Sequence, residues 1–570
     1  MFVKITKSGP RRYVQLVEAY RDSDGRPKQR TVATLGRLDQ PGSGLEAVVS
    51  GLLRVTGGEP LEPKPTKDVT EPPAVKFDPS RSYGDVWALT ELWHSLGFDA
   101  IADIFRRTKH EINVEALIRL MVINRLCDPE SKLGVMRWLQ TVALPNLDIK
   151  AVEHQHLLRA MDALVEHHNA VDNVLVSLLR PLVDQDLSVV FYDMTTIRAE
   201  GLSEEVSDVR KFGMSKEGII ARQFMLGVVQ TADGLPLYHE VFDGNTGEVA
   251  TLMPVIEKIV QRFPVKRIIV VADRGLLSID NIEQLQAISL PGGAPLEFIL
   301  AVPGRRYTEF VELLESFHSD HCAKAEEEVL GEVKWKEHRL IIAHDPCVAR
   351  TAGAKRDSII SELEQKAVEW ADKLEAQELG KKARGRKTSD GGVRARFYRA
   401  VTEAHLSKII QVDLKSELFA YGIDERALAL AKIMDGKLLL VTNATDLSQA
   451  EVLARYKSLA DIERGFRVLK NEIEIGPVYH RLPQRIRAHA AICFIALIMY
   501  RIMRTRLCAA KSQLSPGRAL AALSRIQHHC VTINDAQPVT GLSTINEEQS
   551  KIFAALTVKN PTLKTQLSLL

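Results

Sequence analysis

Two runs of consecutive apolar residues, each followed by an aspartate, constrain the fold of this chain more than any other feature. The first run covers residues 187–192 and precedes Asp193, and the second covers residues 268–272 and precedes Asp273. Neither run alternates between apolar and polar residues, which is typical of a strand covered on both faces. Ligand sites of open α/β sheets lie at the carboxyl ends of such strands. The pattern therefore predicts an α/β core in which each aspartate ends a central strand.

A third acidic residue, Glu463, lies in a segment with helical periodicity. Tyr456, Glu463 and Lys470 are spaced seven residues apart. Because two helical turns take about 7.2 residues, this spacing predicts a polar stripe along one face of one helix. An apolar stripe beside it consists of Leu459, Ile462, Phe466 and Leu469. The polar face is expected to point away from the core.

Two strand-end aspartates and a helix glutamate suit a phosphodiester site with two metal ions. Mg²⁺ and Mn²⁺ prefer carboxylate and water ligands, and two such ions about 4 Å apart stabilise the attacking and leaving oxygens of a phosphate. Each residue also has a structural interpretation. An aspartate after a strand is commonly a turn residue, and charged residues on a helix commonly form a solvated face.

The combination of these motifs resembles the DDE transposases of bacterial insertion sequences, specifically the IS-four superfamily, over residues 83–504. The family signature around the third acid is tyrosine, two residues, arginine, three residues, glutamate, six residues and lysine. Tyr456, Glu463 and Lys470 match it, whereas Leu459 stands at the arginine position. Nearby arginines that could take over that phosphate contact are Arg455, Arg464 and Arg467. Further segments similar to sequences of the family occur at residues 243–248, 271–275 and 477–481.

The resemblance implies a ribonuclease H-like mixed sheet with Asp193, Asp273 and Glu463 as catalytic metal ligands. The expected cofactor is a pair of Mg²⁺ ions, for which Mn²⁺ can substitute. The implied reaction is cut-and-paste transposition, in which terminal inverted repeats are bound, a phosphodiester is hydrolysed, and the freed 3′ hydroxyl attacks target DNA. Joining two ends implies a homodimer in a synaptic complex. Two alternatives stay open: a nuclease of the same fold that only hydrolyses, and a non-enzymatic DNA-binding regulator descended from a transposase.

Six residues are predicted to contact double-stranded DNA. Two of them flank Glu463 in the family signature, one is an arginine near Glu463, one is an arginine beside Asp273, and two are arginines at the amino end. They are Tyr456, Lys470, Arg467, Arg274, Arg11 and Arg12.

The amino end is more basic than the remainder of the chain. Residues 1–37 contain nine basic and three acidic residues, a local charge of +6, whereas the whole chain carries +2. Alternation in residues 2–5 and 13–17, with turns between, predicts a small antiparallel sheet. A basic sheet suits contact with the DNA backbone. A soluble β-ribbon whose lysines protect its edges from aggregation explains the pattern equally well.

The predicted organisation is an α/β multidomain chain of seven segments. They are a basic β-rich region (1–56), a linker (57–79), a helical region (80–184), the first part of the core (185–303), an inserted subdomain (304–450), the second part of the core with the glutamate helix (451–504), and a helical tail (505–570). Within the insertion, the basic run 381–387 is either a phosphate contact or a solvated loop tip.

Composition agrees with a cytosolic enzyme, and the resemblance implies a bacterial, nucleoid-associated location in the cytoplasm. The six cysteines lack CxxC spacing, and no GxxxxGK[ST] loop is present, so neither a disulfide scaffold, a zinc ribbon nor an ATP-driven machine is indicated. The amino end lacks an apolar signal region. Residues 490–500 are apolar, but eleven residues are too few to span a bilayer that needs about 20, so we expect a buried helix and no membrane partner.

Overall fold

The computed structural model describes most of the 570 residues in two compact units. One unit comprises Met1–Lys76 with Thr532–Gln537, and the other comprises Phe77–Val531 with Pro538–Leu570. The residues outside the description are 38–74, 183–187, 202–204, 206, 215–219, 264–266, 273–278, 291–292, 323–324, 380–388, 534–536 and 563–570.

The amino-terminal unit contains a three-stranded antiparallel sheet. Its strands are β1 (Phe2–Ser8), β2 (Arg11–Arg21) and β3 (Pro27–Arg37), in the order β1-β2-β3. Only Val14 and Val17 are buried, and the other side chains of β1–β3 are exposed or half-buried. The antiparallel sheet predicted from alternation is therefore confirmed. The predicted linker lies mostly outside the described residues, and its end contains the short strand β4 (Val75–Phe77).

The second unit begins with the predicted helical region. After the two-residue strand β5 (Arg81–Ser82), six helices follow: α1 (Gly84–Ser95), α2 (Ile101–Arg106), α3 (Val114–Cys127), α4 (Lys132–Trp138), α5 (His154–Glu166) and α6 (His168–Leu179). Asn113 and Ser131 cap α3 and α4 by accepting backbone N–H groups, which satisfies donors that helix starts leave unpaired. The apolar faces of these helices join one large hydrophobic core.

A nine-stranded mixed sheet forms the centre of the second unit. Its strands are β6 (Ser188–Arg198), β7 (Lys211–Met214), β8 (Ile220–Thr231), β9 (Pro236–Asp243), β10 (Ile268–Ala272), β11 (Glu297–Ala301), β12 (Val329–Trp335), β13 (His338–His344) and β16 (Lys437–Thr442). The order is β12-β13-β16-β11-β10-β6-β8-β7, and β9 also pairs with β8. β10 is parallel to β6 and β11, and the hairpin β8–β9 is antiparallel. The fold is thus a mixed α/β arrangement with several sheets and many helices.

β6 is longer than the apolar run that predicts it. The strand continues past Asp193 to Arg198, because its antiparallel pairing with β8 extends from Val190 opposite Thr231 to Arg198 opposite Gln223. The prediction that Asp193 ends its strand is wrong. Asp193 is level with the end of the parallel neighbour β10 only, since Tyr192 pairs with Ala272, the last residue of β10.

Two helices pack beside the parallel strands of the central sheet. They are α7 (Glu248–Arg262) and α8 (Ile279–Ala287). Tyr192 donates a hydrogen bond of 2.8 Å to Thr251 on α7, and both residues are fully buried. A hairpin, a helix, a strand, a helix and a strand therefore follow one another along residues 220–301.

The segment 304–450 extends the central sheet as well as forming its own small core. It contributes β12, β13 and β16 to the sheet. Its other elements are α9 (Val311–Phe317), α10 (Pro346–Glu378), α11 (Asp390–Glu403), β14 (Ile410–Val412), β15 (Tyr421–Ile423) and α12 (Glu425–Met434). Phe397 is fully buried in a separate apolar cluster between α10 and α11. The basic run 381–387 lies outside the described residues.

The chain after β16 is helical up to residue 523 and then mixed. The helices are α13 (Gln449–Lys457), α14 (Ala460–Asn471), α15 (Pro483–Ala509) and α16 (Pro516–Leu523). They are followed by β17 (Gln527–Ile533), β18 (Val539–Leu542) and α17 (Glu547–Ala555). The antiparallel pair β17–β18 is a departure from the predicted helical tail.

α15 is longer than the buried helix predicted over residues 490–500. Among the described residues it is the one helix long and apolar enough to cross a membrane by length and composition, and 89% of its most apolar window is buried within the protein. A helix covered by protein on nearly every side is a core helix, so the burial agrees with the prediction.

Candidate active site

Asp193 projects from the face of the central sheet that α14 and α15 cover. Side chains alternate along a strand, and Phe191 and Ile197, two and four residues away, belong to the core that also contains Phe466 of α14. Val228, directly opposite Asp193 on β8, lies in the same core. Asp193 is half-buried, and its carboxylate accepts the backbone N–H of Met194 at 2.6 Å.

Asp273 and Arg274 lie outside the described residues. Asp273 directly follows Ala272, the last residue of β10, in the sequence. The register of the parallel pair β6–β10 places Ala272 opposite Tyr192, the residue before Asp193. The two strands are thus aligned at the point where each sequence reaches its aspartate. The metal-ligand and DNA-contact roles of Asp273 and Arg274 remain predictions.

The helix predicted to carry Tyr456, Glu463 and Lys470 is two helices. α13 ends at Lys457, turn residues Ser458 and Leu459 follow, and α14 begins at Ala460. The Leu459 N–H bonds to the Tyr456 carbonyl at 3.0 Å, an i to i+3 bond that tightens the last turn of α13. The single stripe is therefore wrong for Tyr456, which lies on α13, and right for Glu463 and Lys470, which share α14.

α14 approaches the sheet closely through a glycine. A Cβ on Gly465 would lie 2.6 Å from the Gln230 side-chain nitrogen, so only glycine permits this separation. Gln230 pairs with Phe191, two residues before Asp193, and at about 3.3 Å per residue the contact lies roughly 7 Å from Asp193 along the strand. Glu463 precedes Gly465 by two residues and is exposed. α14 thus brings Glu463 to the same side of the sheet as Asp193.

The other predicted DNA contacts on these helices are accessible. Arg467 is exposed, and Lys470 and Tyr456 are half-buried. Leu459, at the signature's arginine position, is half-buried and packs against the core. Arg455 on α13 is half-buried and has a buried Nη1 atom without a hydrogen-bond partner. Which neighbouring arginine replaces the signature arginine remains a prediction.

Arg11 and Arg12 lie at the start of β2 in the amino-terminal unit. Both side chains are exposed, and their residues pair with Ser8 and Lys7 of β1. Their predicted role in DNA binding is compatible with this exposure and remains a prediction.

Two buried cations were not indicated by any sequence pattern. Arg125 on α3 and Lys132 on α4 line a groove together with residues 476–481, part of the family-like segment 477–481. Residues that are more than 300 positions apart in the chain leave no local signal of such a meeting.

Comparison with known families decides what this arrangement belongs to. A family model described as "Transposase DDE domain" matches residues 184–499, which is more than half of the chain and includes all three acids. The chain belongs to the DDE transposases. A second family model, described as the N-terminal domain of IS1634 family transposases, matches residues 3–62. The transposase is therefore an insertion-sequence enzyme that cleaves DNA and transfers strands.

Membership also fixes the coarse chemistry of the transposase. DDE transposase domains depend on metal ions, and DNA is their partner. No curated protein matches the transposase sequence. Among solved structures, it is similar to a piggyBac transposase in a synaptic complex with hairpin DNA, with 8% identity, a TM-score of 0.37, and coverage of 84% of this chain and 82% of that one.

Proposed function

We propose that this transposase binds the terminal inverted repeats of its element and moves the element by cut-and-paste transposition. The observation that carries the proposal is the close packing of α14 on the central sheet at Gly465, which brings Glu463 to the sheet face of Asp193. Asp273 follows the parallel strand that is in register with β6. The resemblance and the family match supply the assignment of these three residues as the catalytic acids.

The donor set fits two Mg²⁺ ions, which Mn²⁺ can replace. Asp193 and Glu463 offer carboxylate oxygens that are half-buried and exposed, respectively, so solvent reaches both residues. Oxygen ligands of this kind suit hard divalent cations. Asp193, Asp273 and Glu463 would hold the ions, and bound metal would activate water and stabilise charge on the phosphate oxygens.

The protein's own residues position the DNA beside these acids. Lys470, in the last turn of α14, would hold a backbone phosphate by its charge. Tyr456 and Arg467 would orient the same strand from α13 and from the exposed side of α14. The freed 3′ hydroxyl of this strand then attacks a phosphate of the target DNA and loses its proton. The bond from that phosphate to the target strand's 3′ oxygen breaks, and this leaving oxygen takes up a proton.

We also propose a ribonuclease H type for the core, with residues 304–450 as an insertion. The support is the order of hairpin, helix, strand, helix and strand before a glutamate-bearing helix. Two element ends must meet for excision, which favours a homodimer on DNA. The proposed location is the bacterial cytoplasm, at the nucleoid.

Substitution of single acids tests the site. Asp193→Asn, Asp273→Asn and Glu463→Gln remove a charge with little change in volume, so each should bind duplexes that carry the DNA bordering the gene and fail to cleave them. The loss should exceed the roughly 10–100-fold typical of an outer-shell partner. Asp233→Asn, an exposed aspartate in the β8–β9 turn, is the matched control.

The products distinguish the proposed reaction from simple hydrolysis. Cleaved ends joined to a second DNA molecule identify transposition, whereas cut ends alone identify a nuclease. Binding without cleavage by the wild-type protein in Mg²⁺ and Mn²⁺ identifies a regulator. Wild-type cleavage by any of the three acid variants removes that residue from the site.

A further inference from the structure

A groove of about 530 Å³ lies between the helical region and the segment that follows α14. Its walls come from the end of α3, the start of α4, residues 474–481 and the first turns of α15. The family-like segment 477–481 forms one side, with Tyr479 70% exposed at the rim. Val478 lies in a parallel bridge with Ala199, just beyond β6. The groove is therefore attached to the strand that carries Asp193, on the order of 20 Å along it at about 3.3 Å per residue.

The groove contains two cationic side chains that the protein has taken out of water. Arg125 is 4% exposed and Lys132 is 5% exposed. Arg125 donates to the carbonyl oxygens of Ile473 and Glu474, at 3.4 and 3.2 Å, and its Nε atom has no hydrogen-bond partner. Within the described parts of the chain, Lys132 has neither an ion pair nor a hydrogen bond. A buried charge without a counter-charge costs folding free energy, and a bound anion would offset that cost.

The balance of charge in the groove is positive. Arg481 is exposed at its edge and has no carboxylate partner among the described residues, whereas Arg485 is paired with Asp162 at 2.8 Å. Two carboxylates also line the groove. Glu130 lies 3.9 Å from Arg137, and Glu474 is exposed. Among the described residues, Arg125 and Arg481 are thus left without a carboxylate, and so is Lys132 when it is protonated, against one weakly paired and one solvated acid.

The neighbouring histidines respond to this potential. Burial, together with the positive charges of Lys132, Arg485 and Arg125, lowers the pKa of His480 to about 4. Burial, with help from Lys132 and Arg125, also holds the pKa of His489 well below its usual value. Both rings are therefore neutral at pH 7 and add no positive charge to the groove.

We propose that this groove binds a backbone phosphate of the element's DNA, held by Lys132, Arg125 and Arg481 at a distance from the cleaved bond. The inference rests on the proposed function, because the DNA is that of the element's end. Lys132 and Arg125 supply charge-assisted hydrogen bonds, and the exposed Tyr479 ring offers a surface for an adjoining sugar or base. At 3.4 Å per nucleotide, 20 Å corresponds to about six nucleotides from the scissile phosphate.

Lys132→Met provides a test that separates binding from folding. Methionine keeps the length of the side chain and removes an unpaired buried charge, so thermal stability should be equal or higher. DNA affinity, measured without divalent metal on duplexes of the DNA bordering the gene, should fall about tenfold or more, since bonds to charged groups contribute strongly. The slope of log affinity against log salt should shrink by about 0.9.

Two companion variants control for folding and for bulk charge. Arg481→Gln changes an exposed residue, so its effect on DNA affinity cannot come from a damaged core. Lys408→Met removes one exposed lysine on the inserted segment and should leave the affinity near the wild-type value. Replacing single phosphates by neutral methylphosphonates should lower the DNA affinity of the wild-type protein at one or two linkages. The same replacements should leave the DNA affinity of Lys132→Met unchanged.

The outcomes are distinct. Wild-type affinity in both Lys132→Met and Arg481→Gln overturns the proposal. The proposal is also overturned if inorganic phosphate raises the melting temperature of the wild-type protein while both variants keep wild-type DNA affinity. The groove would then bind a free anion only. If both variants bind DNA weakly but the wild-type protein leaves that DNA uncleaved, the groove stands and the proposed transposition reaction fails.

Discussion

Lys132 is an unusual residue in a soluble interior, because the described residues offer its ammonium no carboxylate. Burial is the largest cause that lowers its pKa to about 7, and repulsion by Arg125 adds to the effect. In an unfolded chain a lysine titrates near 10.4. Between these two values the unfolded chain binds more protons than the folded protein, so stability rises as the pH rises from 7 to about 10.

The first prediction concerns this pH dependence. Replacing Lys132 by methionine removes the group, so the gain in stability on raising the pH from 7 to 10 should be smaller in Lys132→Met by about a few kcal/mol. Thermal or urea unfolding of both proteins at pH 7, 8, 9 and 10, in phosphate-free buffer, measures the difference. Parallel curves for the two proteins would mean that Lys132 titrates as an ordinary solvated lysine.

Lys470 supports a second prediction. At 1.5 Å per residue it lies roughly 10 Å along α14 from Glu463, too far for a direct ion pair and about the reach of an adjoining phosphate. Lys470→Ala should therefore lower cleavage and strand transfer by about tenfold or more, while the melting temperature changes little, since a lysine in a last helical turn contributes about 0.3–1 kcal/mol.

Lys470→Arg is the informative companion, because the charge remains and its point-like geometry is lost. Partial activity is expected. Wild-type cleavage by Lys470→Ala would identify the residue as part of a solvated helix face.

The elements show where sequence patterns carry structural information and where they fail. The hairpin β8–β9, the strand β13 and the buried helix α15 follow from local alternation, apolar runs and length. The extension of β6 to Arg198 does not, because its second half is held by pairing with β8 rather than by its own apolar content. The break between α13 and α14 at Ser458 and Leu459 contains no proline or glycine, so the sequence does not predict it. Strands β17 and β18 contain histidines, threonines and a glycine that give no clear alternation.

The site divides in the same way. Glu463 and Lys470 share a helix because seven-residue spacing is a local property, and their common face could be predicted. The groove of Arg125 and Lys132 could not, because it depends on the packing of α3 and α4 against a segment more than 300 residues later.

The contact between α14 and β8 gives a third prediction. Gly465→Ala gains helix propensity of about 1 kcal/mol but pushes a methyl group into the buried Gln230 amide, so α14 should shift and cleavage should fall. Gln230→Ala removes that obstacle. The double variant should recover activity lost by Gly465→Ala alone, and a double-mutant cycle of melting temperature and cleavage rate measures the coupling. Additive effects would mean that α14 does not depend on this contact.

At the scale of the whole molecule, positive charge is concentrated in residues 1–37, while the chain as a whole carries only +2. These residues form a sheet in which only Val14 and Val17 are buried. A separate basic module can supply affinity for the DNA backbone, while the proposed catalytic acids of the second unit would carry out the chemistry.

Deletion of residues 1–37 is the fourth prediction. Affinity for the element's ends should fall, and its dependence on salt should become weaker, because fewer counterions are released on binding. The double variant Arg11→Gln, Arg12→Gln should reproduce part of the effect. The slope of log affinity against log salt should become shallower by about 0.9 for each phosphate contact that is lost. If the deletion and the double variant both keep the wild-type salt slope, the DNA-binding surface lies in the second unit alone.

The position of β16 has a consequence for how the chain is made. β11 pairs with β16, and Ile299 lies opposite Thr442, about 140 residues later. At bacterial translation rates of about 5–20 residues per second, a nascent chain waits on the order of 10 seconds with this edge of its sheet unpaired. Glu463 leaves the ribosome later still. A chain released early therefore carries an open strand edge that favours aggregation, and it lacks Glu463, the last of the three proposed catalytic acids.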